Sequence, residues 1–418
     1  MVQNITSKIT IIGAGPAGAT LALFLAKYKI PHLLIDQASF PRDKICGDGL
    51  TCEVPRILRE LDESIYQEFI NADWVKPSNG AYIELKNGQK TSFESDNFSR
   101  NTSAVFVAKR EIFDNWLISK LNTEYTQKIF SFKAESITRI GDLVEITGNQ
   151  NGETITIISN LIIGADGERS IVRKTFHPEG IKKNREHCAA AIRCYYKGIE
   201  KLSDGNPLEM YQPKLIPKGY LWIFHLPNGE ANVGFGGLSS DISENKINLV
   251  KEMNLYIQSN PDLKNRFKNA EALETPKGWG LPQNSDAYNY VGDNYLLIGD
   301  SAKFIEPLTG KGIGVAMFAA MLAVPTIKNA ISKNTFNKNQ LISFENVIEN
   351  KYRAEWDKLY KLQNKVINAW YVPLFVTLLN ITFIKNYLIK KQKTKTRKFL
   401  NKPLNKKVLD DYNLFENQ

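Results

Sequence analysis

The hydrophobic pattern opens on a strand, a helix and a second strand. In "KITIIGAGPAGATLALFLAKYKIPHLLID" a β-branched run stops at Gly13, a helical stretch of small and apolar residues follows, and a second apolar run, Leu33 to Asp36, closes the unit. Short apolar runs bounded by glycine on either side of a helical stretch predict buried strands of a βαβ unit. Two later apolar runs also end in glycine and acid. "NLIIGADGERSIVRK" reaches Gly164-Ala-Asp166-Gly167, and "NYLLIGDSAKFIEPLTGKGIGVAMFAAMLAV" reaches Gly299-Asp300 before a glycine-rich loop and an Ala- and Met-rich helix. Between them the period changes to two. "GYLWIFHLP" puts Tyr220, Trp222 and Phe224 on one face of a strand, and runs such as "AAIRCYYKG" alternating with turn residues predict a mostly antiparallel sheet.

Composition adds size and compartment. The 418 residues are 43% hydrophobic, enough for a full core in two domains or one large domain with an insertion. Four cysteines, at 46, 52, 188 and 194, are too few and too scattered for a disulfide framework. The expected compartment is therefore reducing, the cytoplasm. The net charge of +10 is local: Lys385 to Lys407 holds ten Lys/Arg and no acid, and residues 1–384 contribute only +3. Just before that run lies "WYVPLFVTLLNITFI", fifteen mostly apolar residues, shorter than the roughly 20 that span a bilayer. An apolar stretch followed by a basic one predicts a helix lying on an anionic membrane surface through residues 370–407, on the inner face of the cell membrane. A C-terminal helix packed on the protein's own core with a solvated charged end is the alternative. The tail carries no nucleic-acid motif, so no nucleic-acid partner is expected.

The chemistry starts at Gly13-x-Gly15-x-x-Gly18. Gly13 permits a tight turn, Gly15 lets the backbone approach a pyrophosphate, and Gly18 lets the helix pack close to the strand. The helix N-terminus then offers unpaired amides to a diphosphate, and Asp36 is placed to accept from adenosine ribose hydroxyls. The two later segments, which a plain nicotinamide dehydrogenase does not need, point to a flavin. Asp300 is placed to accept from ribityl hydroxyls, and the loop through Gly310, Gly312 and Ile313 leads the next helix's amides toward an isoalloxazine edge.

"KICGDGLTCE", residues 44–53, crowds two cysteines, two glycines and two acids into ten positions. Cys46 and Cys52 lack zinc-knuckle spacing and a C-x-x-C, so neither a metal nor a redox disulfide is expected.

Together these segments resemble FAD-dependent oxidoreductases of the p-hydroxybenzoate hydroxylase fold, and specifically the geranylgeranyl reductase family, over most of residues 5–330. The resemblance implies an α/β architecture: an FAD-binding Rossmann-like domain (1–75, 105–175, 285–330), an inserted mostly antiparallel β-sheet substrate domain (76–104, 176–284) and a C-terminal helical region (331–418). It implies FAD held by Gly13, Gly15, Gly18, Asp36, Arg110, Asp166, Gly167, Asp300, Gly310, Gly312 and Ile313. It also implies a segment "SFPRDKICGDGLT" running past the flavin, with Cys46, Gly47 and Asp48 at the reaction and Cys52 merely packed. A small buried apolar residue without a chemical role is the alternative for Cys46.

"GYLWIFHLPNGEANVGFGGL" resembles the family's Tyr-x-Trp-x-Phe-Pro...Asn-Val-Gly signature, supplied here by Tyr220, Trp222, Phe224, Asn232, Val233 and Gly234, with the three aromatics as an isoprenoid-binding wall and His225 replacing the usual Pro. The same aromatics could instead fill the core. The implied activity is reduction of carbon-carbon double bonds of a polyprenyl lipid, with NADPH or a ferredoxin-like protein as electron donor. A flavin monooxygenase or halogenase of the same fold, or a non-catalytic membrane-surface flavoprotein, are the alternatives. "YLWIFHLP" lacks the Trp-x-Trp-x-Ile-Pro of halogenases.

Overall fold

The computed structural model describes residues 3–94, 100–103, 105–177, 185–203, 205–284, 289–365, 372–380 and 382–401. Its first sheet is built on the longest strand pair. Gln3–Ile12 and Glu153–Gly164 run parallel in register from Gln3↔Ile155 to Ile12↔Gly164. His32–Ile35 and Thr126–Ile129 extend the sheet on one side, and Tyr295–Leu297 on the other, all parallel to their neighbours. Leu143–Gln150 and Phe132–Ile140 add an antiparallel flap. Both faces of the parallel strands are covered, so these strands read as continuous apolar runs. Ile9, Ile11, Leu33, Leu34, Ile162 and Ile163 are completely buried.

The parallel arrangement brings distant loops together. Gly13 N donates to Ile35 O (2.8 Å), Ala165 N to Ile12 O (2.8 Å) and Ile298 N to Gly164 O (2.9 Å). The three glycine-acid motifs thus leave the same carboxyl edge of the sheet, where open α/β sheets take their ligands. Helix Pro16–Lys27 and helix Ile313–Ser332 pack on each other behind that edge. The latter is long and apolar enough to cross a membrane, but 89% of its apolar window is buried inside the protein.

The second sheet orders Glu271–Ala272, Cys188–Lys197, Glu230–Leu238, Tyr220–His225, Leu208–Tyr211, Gly80–Glu84 and Lys90–Glu94 side by side. Only the pairing of Leu208–Tyr211 with Gly80–Glu84 is parallel. Lys277–Pro282 pairs with Cys188–Lys197 on the same side as Glu271–Ala272, opposite Glu230–Leu238. Leu221, Ile223, Val233 and Phe235 of this sheet join Met253, Ile257 and Leu263 of two covering helices in a second core. Lys76–Ser78 does not join it. That strand pairs with Val105–Val107, which also pairs with Gly49–Thr51, in a small sheet of three-residue strands. Strands so short carry too few positions for an alternating pattern to show in the sequence.

Helices Lys338–Ile348 and Ala354–Lys365 follow, joined through a π-turn at Glu349–Arg353. Helix Thr382–Asn401 lies against helix Glu53–Leu61 and strand Lys90–Glu94. Phe399 meets Arg56 there, 4.3 Å from the guanidinium carbon to the ring centre. Residues 402–418, with the end of the basic run, lie outside the described residues.

The second core contains one ionic knot. Glu209 is completely buried, and its carboxylate accepts from Arg266 Nη1 (2.6 Å) and Nη2 (2.7 Å) and from Tyr211 Oη (2.5 Å), with His225 Nε2 at 3.2 Å. His225 thus stands where it can bond this carboxylate. Breaking a buried pair strands a charge at a cost of about 3–5 kcal/mol. Glu209→Gln is therefore expected to lower unfolding stability by roughly that amount, read from urea titration. A change under about 1 kcal/mol would show that the pair is not buried as described.

Candidate functional site

The first glycine loop is shaped by close packing. Gly13 sits at φ +103°, a backbone region that side chains rarely adopt, and a Cβ on Gly18 would run into the Gly13 carbonyl oxygen. Gly15 is open except for the Arg42 guanidinium, whose Nη2 lies 3.6 Å from where a Cβ would be. Asp36 braces the loop: Oδ2 accepts from Ala14 N (2.7 Å) and Oδ1 from Ala38 N (2.8 Å). Each of those oxygens keeps acceptor capacity for a sugar hydroxyl. An open turn, a helix N-terminus and an arginine whose buried Nη1 makes no hydrogen bond form a cradle that fits a dinucleotide pyrophosphate.

Arg110 starts helix Arg110–Ser119 next to this cradle. Its Nε and Nη2 each donate to Asp114 at 2.7 Å, and Arg42 Nη1 lies 3.2 Å from the same carboxylate. Burial alone would lower the Arg110 pKa, but Asp114 raises it further, and Cys46 lies within hydrogen-bonding reach. The middle motif is turned inward: Asp166 Oδ2 accepts from Ile171 N (2.7 Å) at a helix start, while its buried Oδ1 has no partner. Gly167 takes φ +76°. Arg173 then joins the motifs, donating to Asp300 O (2.9 Å), Ser301 O (3.0 Å) and the Glu168 carbonyl.

Asp300 opens the turn Gly299–Ala302, its pKa raised by burial and pulled back by Lys44, Arg110 and Arg173. A Cβ on Gly312 would lie 3.7 Å from Asp300 Oδ1, and Ile313 begins the long apolar helix. The loop between is folded by Glu306, which accepts from Leu308 N (2.9 Å) and Thr309 N (3.1 Å), and is tied down by Lys311 to Glu53 (3.2 Å).

The segment after Cys46 lies against the second sheet. Positions where Gly47 and Gly49 would carry Cβ atoms are 3.4 Å from Trp222 Nε1 and 3.6 Å from Phe224 Cε2. The rings of Tyr220 and Trp222 are 5.8 Å apart and those of Trp222 and Phe224 6.4 Å, so the three aromatics share one face. Tyr220 Oη donates to Thr309 O (2.6 Å), and a Cβ on Gly310 would lie 3.5 Å from the same hydroxyl. The aromatic strand therefore touches both the Cys46–Gly49 loop and the loop before the long helix.

Asp48 differs from its neighbours. It is completely buried, and its carboxylate turns to the second sheet, where Oδ2 accepts from Tyr195 Oη (2.7 Å) and Asn232 Nδ2 (2.9 Å). Asn232 Nδ2 also reaches Cys46 O (2.8 Å), and its Oδ1 accepts from Trp222 Nε1 (2.8 Å). Cys46 Sγ accepts from Asp48 N (3.5 Å). Burial pushes the Asp48 pKa up to about 6 against the hydrogen bonds from Asn232 and Tyr195. Cys52 stands apart, with its thiol on Glu53 (3.7 Å) and its pKa pushed up to about 12 by burial and by that carboxylate.

Three residues of this arrangement escape a motif reading: Arg42, Arg173 and Tyr195. Arg42 and Arg173 lie near quoted motifs, in "FPRDKICGDG" and "GADGERSIVRK", and their basic character was the available signal. Asn232 sat in the aromatic signature, but only the strand pairing Phe224↔Asn232 shows what it holds. Tyr195 carries no local signal.

Comparison with known proteins agrees with this geometry. A family model described as "FAD binding domain" matches residues 6–192. A digeranylgeranylglycerophospholipid reductase of Methanococcus vannielii is 29% identical over 340 residues, covering 81% of this chain and 80% of that protein. An uncharacterised protein of Methanosarcina barkeri is 30% identical over 336 residues, covering 80% and 77%. Among solved structures, a geranylgeranyl bacteriochlorophyll reductase-like protein of Thermoplasma acidophilum superposes with a TM-score of 0.77 at 22% identity, covering 98% of this chain and all of that one. A flavin-dependent brominase superposes at 0.74 with 18% identity, covering 92% of each chain.

The raised Asp48 pKa has a sign that can be tested. The unfolded carboxyl titrates near 3.8 and the folded one at about 6, so the native state binds the extra proton between those values. Stability contributed by that proton is full below about pH 4 and is lost as pH rises to 6, by roughly 2–3 kcal/mol. Urea unfolding of the protein and of Asp48→Asn at pH 4, 5, 6 and 7 should show the variant gaining relative stability over this window. A pH-independent difference between the two would refute the assignment.

Proposed function

The chain belongs to the geranylgeranyl reductase family of FAD-dependent oxidoreductases, and from that premise we propose that it reduces carbon-carbon double bonds of a polyprenyl, geranylgeranyl-type lipid. The observation that carries this reading is the contact of the Tyr220, Trp222, Phe224 face with the two flavin-side loops. An aromatic face of this kind buries long apolar chains without needing polar partners. The relative from Methanococcus vannielii bears the name of a prenyl-lipid reductase, which supports the same substrate class.

Bound FAD supplies the hydride that such a reduction needs. The residues of this chain bind and orient. Gly13, Gly15 and Gly18 with Arg42 and Arg110 hold the pyrophosphate, Asp36 the ribose, Asp300 the ribityl chain, and Gly310, Gly312 and Ile313 the ring edge. Asp166 and Gly167 support the site from behind by starting helix Ile171–Phe176. Cys46 and Gly47 face the reacting bond, and Asp48 fixes their position through Asn232 and Tyr195. With the cofactor carrying the hydride, the protein's part is to align the double bond and exclude water. Electrons come from NADPH or from a ferredoxin-like protein.

The same reading places the protein in the cytoplasm, peripheral on the inner face of the membrane that holds such lipids. Helix Val372–Leu379 is apolar, and Leu378 and Tyr387 are exposed. Helix Thr382–Asn401 carries seven Lys/Arg and no acid. Each cation near an anionic surface contributes about 1 kcal/mol, so the full-length protein should sediment with phosphatidylglycerol vesicles at physiological salt. Removing residues 385–418 should weaken that binding and leave flavin content unchanged. Full-length protein that ignores the vesicles would reduce the tail to a solvated helix end.

The reaction itself is tested with anaerobically reduced enzyme and a geranylgeranyl lipid. The flavin should reoxidise, and the product should gain two mass units per double bond reduced. Cys46→Ala should slow that step by about ten- to a hundredfold. Reoxidation by oxygen alone, with an oxygen or halogen atom entering an aromatic product, would favour a monooxygenase or halogenase. A flavin that no lipid reoxidises would favour the non-catalytic reading.

A further inference from the structure

Three cations gather on the flavin side of the molecule, and two of them are already committed. Arg110 and Arg42 share the carboxylate of Asp114. Lys44 is different: among the described residues it has no carboxylate at ion-pair distance. Its ammonium instead sits 3.6 Å from the centre of the Trp279 ring, and the guanidinium carbon of Arg169 lies 4.9 Å from that same ring. Trp279 belongs to the strand Lys277–Pro282, and a Cβ on its neighbour Gly280 would lie 3.4 Å from the carboxylate of Glu168 in the middle motif. The indole nitrogen of Trp279 is buried without a hydrogen-bond partner. Lys44 therefore bridges the segment leading to Cys46 and the second sheet, at the level of the middle and last flavin motifs.

Its surroundings decide what the charge is for. Asp300 and Cys46 favour the ammonium electrostatically, whereas Arg110 and Arg42 oppose it. Burial is the largest influence, and together these bring the lysine pKa down to about 8. An ammonium withdrawn from water and set beside two other cations is unfavourable unless negative charge completes its surroundings. The pyrophosphate end of the cradle, at Gly15, already has Arg42. Lys44 is coupled instead to Asp300 and Cys46, the residues assigned to the ribityl and ring end. Negative charge arises there on reduction: an isoalloxazine that takes up two electrons and one proton passes from neutral to a monoanion.

We propose that Lys44 is a further residue of the flavin site, a cation seated on Trp279 that stabilises reduced flavin over oxidised flavin and so sets the reduction potential. The inference rests on the reading of this site as an FAD site. It assigns the lysine of "DKICGDG" to the cofactor's redox poise and leaves binding of the pyrophosphate to Arg42 and the glycine loop.

The test uses FAD-loaded, full-length protein titrated anaerobically with dithionite against a reference dye. Oxidised-FAD affinity is measured in parallel by fluorescence. Lys44→Met keeps the apolar stem and removes the charge. It should lower the ratio of reduced-flavin to oxidised-flavin affinity by about tenfold or more, a fall of at least about 30 mV for a two-electron couple. Lys44→Arg should restore most of the difference. Should Lys44→Met fail to fold, Lys44→Gln gives the same readout. A potential unchanged in the neutral variants, or equal loss of affinity for both flavin forms, would make Lys44 only a clamp between the loop and Trp279 and overturn the proposal. Wild-type protein that takes up no FAD would instead overturn the reading on which the proposal rests, so the two failures are distinguishable.

Discussion

A buried carboxylate, that of Asp48, joins the two halves of the molecule at the site. It lies in the segment between the first βαβ unit and the small three-stranded sheet, at φ +64°, a conformation a non-glycine residue keeps only when its surroundings enforce it. One oxygen is shared by Tyr195 and Asn232 of the second sheet, and Asn232 continues to Cys46 O and to the Trp222 indole. Residues 46, 48, 195, 222 and 232 thus form one network between the Cys46 loop and the second sheet. Its members fix one another: the loop cannot slide along the aromatic strand without stranding a buried polar group. On the proposed reading, a loose loop would leave the distance between flavin and aromatic wall undefined, and a hydride transfer tolerates little such freedom. Arg193, 4.0 Å from the Tyr195 ring, supports the network from outside but spends its own guanidinium on Asp43 and Glu274.

The local part of this arrangement was legible in the sequence. Gly13, Gly15 and Gly18 are set by the packing of consecutive elements, so their spacing alone announces a strand, a turn and a helix. The alternation of Tyr220, Trp222 and Phe224 is equally local, and the opposite positions Leu221 and Ile223 fill the second core. What escaped the sequence depends on strand register. Asn232 is placed by its pairing with Phe224, and Tyr195 by its pairing with Asn232. No pattern within one strand encodes that meeting. The parallel pair Gly80–Glu84 and Leu208–Tyr211 is hidden for the same reason, being joined only through the fold.

The two buried ionic centres show different uses of charge. Around Glu209 every strong group is answered: Arg266 meets both carboxylate oxygens, and Tyr211 and His225 complete the set. Such closure fits a structural role, because nothing is left to offer a ligand. On the flavin side the accounting stays open. Asp48 Oδ1, Asp166 Oδ1 and the Trp279 indole nitrogen are all buried without hydrogen-bond partners. Unmet buried polar groups are uncommon in folded proteins; others, such as Thr91 Oγ1 and Asn206 Oδ1, lie away from this region, but these three belong to the segments that carry the glycine-acid motifs or pack against them.

The aromatic wall follows from where the glycines fall. A Cβ at Gly47 or Gly49 would stand at ordinary van der Waals distance from Trp222 and Phe224, so the loop lies directly against the wall with room for little more than a methyl group. Tyr220, farther along the same strand, reaches the other loop through Thr309 O and lies beside Gly310. A strand that touches both loops by its aromatic edges sets the spacing between them. The residues proposed to hold the ring of a cofactor and those proposed to form the apolar wall are then braced by the same contacts, so a change in one shifts the other. On that reading cofactor orientation and substrate fit are a single geometric property, fixed where the Cys46 segment crosses the strand Tyr220–His225.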